Sequence, residues 1–355
     1  MRHCCAAYDF AASAARPSLG VNVSFVCDLG RLGRAVLVAL MLLHGAGAAA
    51  WADPAACADE ADRPAPRAAA AAVKQAAAAT VAPDELPAPY AAIVVDANAG
   101  IILHADKADE LRHPASLTKM MTLYLLFEKL EAGAVRLDTQ FPISLHASVQ
   151  EPTKLDLVAG ETVSVQDLIL GLVTHSANDA AVVVAEALGG DEGTFAEAMT
   201  AKARALGMAH TEYRNASGLP DDAQVTTARD QAILGLALQR RFPAYYQYFS
   251  TRSFTRLGKK YRNHNHLLDR LPGMDGIKTG YIRSSKFNLV ASVRRNDRHL
   301  VAVVLGGASA RVRDARMRVL IEHYIVRATP KKTMLANARM GRRAGAAVGP
   351  ASGNR

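Results

Sequence analysis

The first residues that suggest chemistry are a serine and a lysine three positions apart. Ser116 and Lys119 follow Pro114 at the start of a predicted helix. A separation of three residues puts both side chains on one helix face, so the hydroxyl and the amine can touch. A serine hydroxyl becomes a strong nucleophile when a base removes its proton. The pair alone is weak evidence for catalysis, because a serine near a helix start with a lysine one turn later is common in solvated helices.

Two further short motifs follow along the chain. Ser176, Ala177 and Asn178 lie between two predicted helices, and Lys278–Thr279–Gly280 ends a predicted strand. Each has an ordinary explanation alone, since Ser-x-Asn often caps a helix and Lys-Thr-Gly often ends an edge strand. In this order and in these settings, the three motifs resemble the S-x-x-K, Ser-x-Asn and K-T-G set of the serine penicillin-recognising enzymes.

Longer stretches around the motifs narrow this resemblance. Residues 114–120 (PASLTKM), 215–220 (NASGLP) and 275–281 (DGIKTGY) closely resemble the low-molecular-mass D-alanyl-D-alanine carboxypeptidases of peptidase family S11. The resemblance covers residues 87–329 and implies the α+β fold of the serine β-lactamases and D,D-peptidases. It also implies a penicillin-binding protein that trims the terminal D-alanine from peptidoglycan stem peptides, with β-lactam antibiotics as covalent inhibitors.

The resemblance assigns three catalytic residues. Ser116 becomes the acylated nucleophile, Lys119 its base, and Ser176 the group that relays a proton to the leaving D-alanine amine. An unperturbed lysine titrates near ~10.4, so Lys119 needs a lowered pKa to act as a base. We expect burial behind the helix and the nearby charge of Lys278 to lower this pKa.

The resemblance also assigns a set of substrate-binding residues. These are Asn178, Lys278, Thr279, Gly280, Tyr281 and Arg313. Asn178 would hold the substrate amide, Lys278 would supply positive charge, and Thr279 would bind the terminal carboxylate. Backbone N–H groups of Ser116 and Tyr281 would form the oxyanion hole. None of these roles requires a metal or another cofactor.

The family also has a downstream arginine that binds the terminal carboxylate. It falls in a stretch that resembles residues 306–314 (GGASARVRD), where an ungapped match selects Arg313. Arg311 is the nearby alternative, and an ordinary arginine in a solvated loop is the third interpretation. The sequence leaves these three interpretations open.

One stretch departs from the family pattern beside the third motif. Most relatives have a small Ala-Gly pair before an aromatic residue there, whereas residues 284–287 of this chain read SSKF. The cation of Lys286 could change how the substrate fits, or it could point to solvent. Both interpretations stay open at this stage.

The elements that must position these residues can be read from periodicity and turn signals. A turn signal at 98–100 predicts a hairpin of two strands at 91–97 and 101–104. Period-two alternation and short apolar runs predict strands at 274–279, 287–293 and 300–305. Apolar spacing and capping signals predict helices at 117–130, 164–172, 178–188, 227–240 and 314–324. Strands at both ends with helices between them indicate an α+β fold, in which the first hairpin pairs with the C-terminal strands in an antiparallel sheet.

Charge and composition restrict the partners. The 355-residue chain carries a formal charge of +9, but residues 330–355 hold +6 of it and residues 1–52 hold +2, which leaves +1 for residues 53–329. A nearly neutral body argues against a nucleic-acid partner. Residues 263–266 (NHNH) contain a His-x-His pattern, which is nonspecific for a metal without a third placed ligand.

The N-terminal region has the composition of an export signal. Arg31 and Arg34 precede nine apolar residues and an A-x-A pattern at 50–52, so residues 1–52 are predicted to be a signal peptide. A buried N-terminal helix is the alternative. Ala- and Pro-rich residues 53–86 are predicted to be a linker, and residues 87–329 the catalytic domain.

The C-terminal residues 330–355 are predicted to be a basic, disordered tail. Many relatives append a second β domain and a membrane anchor, for which the residues after Tyr324 are too few. We therefore expect a soluble exported enzyme, located in a periplasm. Its tail would make at most weak contact with an anionic membrane surface.

Other functions remain as alternatives. A D,D-endopeptidase that cuts peptidoglycan cross-links needs the same catalytic residues. A class A β-lactamase has an acidic residue after the second serine and an E-x-x-L-N run, whereas this chain has Ala177 and no such run. A catalytically silent peptidoglycan-binding scaffold is the alternative from a different class.

Overall fold

One antiparallel sheet of five strands lies at the centre of the fold in the computed structural model, which describes residues 90–331. The strands of the described chain are β1 (Ala91–Asp96), β2 (Ile101–Asp106), β3 (Gln140–Pro142), β4 (Thr162–Ser164), β5 (Ser253–Arg256), β6 (Lys259–Arg262), β7 (Met274–Ile282), β8 (Lys286–Arg295) and β9 (Arg298–Gly307). The order in the sheet is β2-β1-β9-β8-β7, with antiparallel neighbours throughout. The first hairpin therefore pairs with the C-terminal strands, as predicted.

Helices fill the chain between the first hairpin and β7. The α-helices within residues 90–331 are α1 (Lys119–Glu131), α2 (Leu145–Ser148), α3 (Val165–Leu170), α4 (Asn178–Gly189), α5 (Glu192–Ala205), α6 (Ala228–Arg241), α7 (Pro243–Tyr246), α8 (Leu267–Arg270) and α9 (Ala310–Ile325). Two small hairpins, β3–β4 and β5–β6, lie in the same stretch. The α+β fold with a helical subdomain is confirmed.

The central strands bury apolar side chains on both faces, because successive residues of a strand point to opposite sides of the sheet. Ile93 and Val303 face the helical subdomain, where they join the core that contains α1, α4 and α6. Val94 and Val304 face the other way, and pack in the core that contains Met317 of α9. Strands buried on both faces read as continuous apolar runs, which is why these segments were recognisable in the sequence.

Side-chain caps begin several of the helices at the predicted positions. Ser164 caps α3, and Thr227 caps α6, each by accepting a hydrogen bond from the backbone N–H three residues later. Ser309 caps α9 in the same way. Such caps satisfy backbone donors that the helix itself leaves unpaired.

Three predicted helix boundaries were wrong by a few residues. The first helix begins as a 3-10 turn, Ala115–Thr118, before α1. The helix predicted at 164–172 ends at Leu170 and continues as a π-helical turn, Gly171–His175. The last helix begins at Ala310 rather than at 314, because Ser309 caps it earlier than the apolar spacing indicated.

The sequence prediction missed helix α5 entirely. Its 14 residues are rich in alanine, and only four of them are buried: Phe195, Ala196, Met199 and Ala203. The apolar stripe is therefore too narrow to dominate the pattern. The available signal was Asp191, whose side chain accepts a hydrogen bond from the Thr194 N–H and caps the helix.

Four aromatic residues on two short helical turns, Tyr245, Tyr246, Tyr248 and Phe249, pack in or against the core of the helical subdomain. Tyr245 stacks on Phe127 of α1 at a centroid distance of 5.3 Å, and Phe249 is fully buried. The hydroxyl of Tyr246 donates to Asp275 at the start of β7. The cluster thus joins the helical subdomain to the strand that carries the third motif.

Several predicted regions lie outside the described residues. These are the signal peptide at 1–52, the linker at 53–86, and residues 332–355 of the basic tail. Within residues 90–331, no helix is both long enough and apolar enough to cross a membrane.

Candidate active site

A cleft of about 540 Å³ lies along β7 and brings most of the predicted site residues together. The predicted residues that line it are Ser116, Ser176, Asn178, Thr279, Gly280, Tyr281 and Arg313. Lys119 and Lys278 are not in its wall, because both side chains are buried behind it. Residues from four distant parts of the chain therefore converge on one site.

Ser116 occupies a 3-10 turn immediately before α1. Its Oγ lies 3.3 Å from the Nζ of Lys119, so the hydroxyl and the amine are within hydrogen-bond distance. The preceding residue, Ala115, has a φ of +50°, which is unfavourable for a residue with a Cβ. Strain of this kind persists only when the surrounding structure holds it in place.

Two glycines allow that turn to be enclosed on both sides. A Cβ on Gly218, which has a φ of +84°, would come within 1.9 Å of the carbonyl oxygen of Ala115. A Cβ on Gly280 of β7 would lie 3.2 Å from the backbone nitrogen of Ser116 and 3.0 Å from the Pro114 oxygen. The turn is therefore held between the 215–220 segment and β7, and its backbone faces the strand without an intervening side chain.

The amine of Lys119 is fully buried and has three hydrogen-bond partners. Besides the hydroxyl of Ser116, it donates to Asn178 Oδ1 at 2.6 Å and to the Ser217 carbonyl oxygen at 2.5 Å. Burial lowers the pKa of Lys119 well below its usual value, and the charge of Lys278 lowers it further. Both predicted causes are present, and they favour the neutral amine that a base requires.

Lys278 is the second buried cation of the site. Burial, followed by the charge of Arg313, lowers the pKa of Lys278 to about 7. Its Nζ donates to the Thr279 carbonyl oxygen at 2.9 Å. Near pH 7 the side chain is thus partly charged, and its protonation depends on what else the cleft contains.

Ser176 lies in the cleft wall, directly after the π-helical turn that follows α3. It has a left-handed backbone, with a φ of +61°. Its Oγ is buried and has no hydrogen-bond partner among the described residues. An unpaired buried hydroxyl that faces a cleft is available to a substrate, and π-helical turns often occur at functional sites.

Asn178 begins α4 and connects the base to the opposite wall of the cleft. Its Oδ1 accepts from Lys119, and its Nδ2 donates to the Glu151 carbonyl oxygen at 2.7 Å. A side-chain amide has two N–H donors, so one remains for a substrate carbonyl. Asp179, the next residue, holds this wall by accepting from the backbone nitrogens of Leu155 and Leu157.

Arg313 lies on α9 and not in a solvated loop. Only 4% of its side chain is exposed. It donates from Nε and Nη2 to Asp314 Oδ1 and from Nη1 to the Asn288 carbonyl oxygen. A guanidinium has five N–H donors, so two remain for a carboxylate in the cleft. Arg311 is exposed and does not line the cleft.

Lys286 lies at the start of β8, outside the residues that line the cleft. Its side chain is exposed, and its φ is +55°, a conformation that favours glycine. This placement favours the interpretation in which the cation points to solvent.

Other cleft residues were not assigned from the sequence. His264 and His266 line the cleft, although the NHNH segment was given only an unremarkable interpretation. Pro152 and Thr153 form part of the wall opposite β7, and Thr153 Oγ1 donates to the His175 carbonyl oxygen at 2.9 Å. The histidine pattern was a usable signal, whereas nothing in residues 151–153 marks them as site residues.

Comparison with known proteins agrees with this geometry. Residues 77–309 match the family model for peptidase S11, D-alanyl-D-alanine carboxypeptidase. This chain belongs to the S11 family, which confirms the resemblance seen in its motifs.

Individual relatives support the same assignment. The chain is 35% identical over 236 residues to the D-alanyl-D-alanine carboxypeptidase DacA of Escherichia coli K12, covering 64% of this chain and 59% of DacA. Penicillin binding protein 5 from Haemophilus influenzae has a TM-score of 0.63 and 34% identity, covering 65% of this chain and 69% of that one. The chain spans about three fifths of the length of the curated carboxypeptidases that it matches.

A relative with a different activity is also similar. The D-alanyl-D-alanine endopeptidase of Pseudomonas aeruginosa PAO1 is 31% identical over 252 residues, covering 67% of this chain and 79% of the endopeptidase. The proteins similar to this chain thus include an endopeptidase, the activity that the sequence analysis kept as an alternative.

The contact between Gly218 and Ala115 generates the first prediction. Gly218→Ala should destabilise the protein by more than the ~1 to 2 kcal/mol expected of a left-handed alanine alone, because the new Cβ also strikes the Ala115 carbonyl. Gly207→Ala is the matched control, since Gly207 has a φ of +87° and open space around its Cβ. Urea unfolding and the rate of acylation by a fluorescent penicillin measure both effects. Equal losses in the two variants would contradict the close approach.

The charge of Lys278 beside Lys119 generates the second prediction. Lys278→Gln removes a cation, so the pKa of Lys119 should rise, and the base should remain protonated up to a higher pH. The acid limb of the acylation rate against pH should then move to higher pH, while Lys278→Arg, which keeps the charge, should leave that limb in place. An unchanged acid limb in Lys278→Gln would remove Lys278 as a cause of the shift.

Proposed function

We propose that this protein is a serine D,D-carboxypeptidase that removes the terminal D-alanine from peptidoglycan stem peptides. The observation that carries the proposal is the hydroxyl of Ser116 at 3.3 Å from a fully buried lysine amine with a lowered pKa. A nucleophile beside a neutral base, open to a cleft with a carboxylate site, is what acyl transfer from such a peptide needs. Membership of the S11 family supports the same reaction.

The proposed first step is acylation of Ser116. The neutral amine of Lys119 takes the hydroxyl proton as Oγ attacks the carbonyl carbon of the penultimate D-alanine. Backbone N–H groups of Ser116 and Tyr281 bind the oxyanion. The C–N bond then breaks, and the proton that Lys119 accepted passes through the unpaired hydroxyl of Ser176 to the leaving amine, which leaves Lys119 neutral again.

The remaining proposed residues hold the substrate. Asn178 donates its spare N–H to the peptide, while Thr279 and the two free N–H groups of Arg313 bind the terminal carboxylate. After free D-alanine has left, Lys119 takes a proton from the water that attacks the ester, and it passes that proton to the Oγ of Ser116 as the acyl group leaves. β-Lactam antibiotics would acylate the same hydroxyl and act as covalent inhibitors.

We place the enzyme outside the cytoplasm, in a periplasm. The motivation is the basic and apolar sequence at 31–43 with an A-x-A pattern at 50–52, together with a substrate that lies outside the cytoplasm. Fractionation of cells and N-terminal sequencing of the mature protein test this placement. A mature protein that starts at Met1, recovered with the cytoplasmic fraction, would contradict it.

A D,D-endopeptidase is the second candidate, and the similarity to the Pseudomonas endopeptidase favours keeping it. The two activities share the acyl step and differ in the leaving group, which is one D-alanine or a cross-linked peptide. The purified enzyme should be incubated with a free pentapeptide and with a cross-linked dimer. Faster release of D-alanine supports the carboxypeptidase, and faster cleavage of the dimer supports the endopeptidase.

Ser116→Ala tests the nucleophile. The variant should fold with near-normal stability and lose both D-alanine release and covalent penicillin labelling, because no hydroxyl remains to be acylated. Ser148→Ala, which changes a half-buried serine of α2 outside the cleft, is the matched control and should keep both activities. Covalent labelling that persists in Ser116→Ala would assign the nucleophile elsewhere.

Arg313→Ala tests the carboxylate site. Truncating one partner of a buried charged pair costs roughly 2 to 5 kcal/mol, so kcat/KM for the pentapeptide should fall steeply. Arg311→Ala, on the same helix but exposed, should leave kcat/KM close to that of the wild type. The reverse result would mean that Arg311 binds the carboxylate.

A further inference from the structure

A second cavity, of about 490 Å³, adjoins the catalytic cleft. The residues that line it are His175, Arg252, Arg262, Asn263, His264, His266, Asp269 and Arg270. His264 and His266 belong to the walls of both cavities. A group bound in the cleft can therefore extend past these imidazoles into the second cavity, which we call the basic pocket.

The basic pocket has an excess of positive charge. Three arginines line it against one acid, Asp269, which pairs with Arg252 at 2.8 Å. The guanidinium groups of Arg262 and Arg270 make no hydrogen bond or ion pair with any residue in the range 90–331. Two guanidinium groups thus remain for an anion, and guanidinium geometry matches a carboxylate through two parallel hydrogen bonds.

The basic pocket adjoins the turn that carries Ser176. His175 precedes Ser176, the residue proposed to protonate that amine, and its ring lies 5.4 Å from the ring of His264. The backbone nitrogen of His264 donates to the Thr174 carbonyl oxygen at 3.1 Å. The strip that separates the two cavities is therefore attached to the turn that carries Ser176.

Two of the histidines around the basic pocket, His264 and His175, have lowered pKa values. Burial, helped by the charge of Lys278, lowers the pKa of His264 to about 4, so this imidazole is neutral at pH 7. His175 also has a lowered pKa, chiefly through burial. At neutral pH the arginines thus supply positive charge to the pocket, whereas the imidazole of His264, which lies between the two cavities, is neutral.

We infer that the basic pocket is a subsite for a second carboxylate carried by the leaving group. The inference rests on the proposed function, in which Thr279 and Arg313 already bind the terminal carboxylate of the leaving residue. A single D-alanine has no other anionic group. The pocket would therefore favour a leaving group with a further carboxylate, such as an acidic D-residue or the acidic peptide released when a cross-link is cut.

Two pairs of synthetic peptides test the subsite at pH 7. In the first pair, D-Ala is followed by a terminal D-Glu or D-Gln, so the extra carboxylate lies on the leaving residue. In the second pair, a Glu or Gln precedes D-Ala-D-Ala, so the carboxylate lies on the acyl side. Release of the terminal residue gives kcat and KM for the wild type, for the double variant Arg262→Gln/Arg270→Gln, and for Arg318→Gln, an exposed arginine of α9 used as a control.

The wild type should favour terminal D-Glu over D-Gln by roughly tenfold in kcat/KM, mainly through KM. The double variant should lose this preference, Arg318→Gln should keep it, and the second pair should show none in any protein. The subsite is overturned if the wild type shows no preference for D-Glu, or if the double variant keeps that preference. It is also overturned if the double variant changes kcat/KM only for the second pair of peptides.

Release of D-alanine from an ordinary D-Ala-D-Ala peptide separates this inference from the proposed function. The double variant should release it at the wild-type rate, because neither arginine lines the catalytic cleft. Normal release without a D-Glu preference contradicts the subsite alone. No release of any terminal residue, together with no penicillin labelling of the wild type, contradicts the proposed function and the subsite with it.

Discussion

The buried amine of Lys119 is the constraint on which the rest of the site depends. A cation without solvent is expensive, and an unsatisfied polar nitrogen in a core is expensive as well. The fold meets both demands by lowering the pKa of Lys119 and by bringing acceptors to it from two distant segments, Asn178 of α4 and Ser217 of the 215–220 segment. The base therefore exists only when α1, α4 and that segment are packed together, which ties the chemistry to complete folding.

The strained backbone around the nucleophile follows from the same packing. Ala115 and Ser176 both have left-handed φ values, and the turn that contains Ala115 is held between the 215–220 segment and β7. Strain of this kind costs of order 1 to 3 kcal/mol for each residue and needs compensation elsewhere. Gly218 and Gly280 contribute by leaving room for direct backbone contact, so the position of Ser116 is set by its neighbours rather than by helix propensity.

The sequence predicted those features whose cause is local. The caps at Ser164 and Thr227 and the buried strands are short-range patterns, and they were found where expected. The 3-10 turn at Ser116 and the π-helical turn before Ser176 could not be predicted, because packing against distant segments decides them. The direction of the Lys119 pKa was predictable from two causes, burial and a second cation, whereas the cleft position of His264 required the tertiary structure.

The positive charges at this cleft have two effects: they attract an anion, and they lower the pKa values of neighbouring lysines. In the proposed reaction, Lys278 and Arg313 attract the carboxylate of the substrate. Burial and the charge of Lys278 lower the pKa of Lys119, while burial and the charge of Arg313 lower the pKa of Lys278. A bound carboxylate offsets part of that positive field, so it favours the charged form of Lys278 at the moment when an oxyanion develops beside it. When the leaving residue departs with its carboxylate, the full positive field returns and again favours a neutral Lys119. The charge of the substrate thus helps to set the protonation state for each half of the reaction.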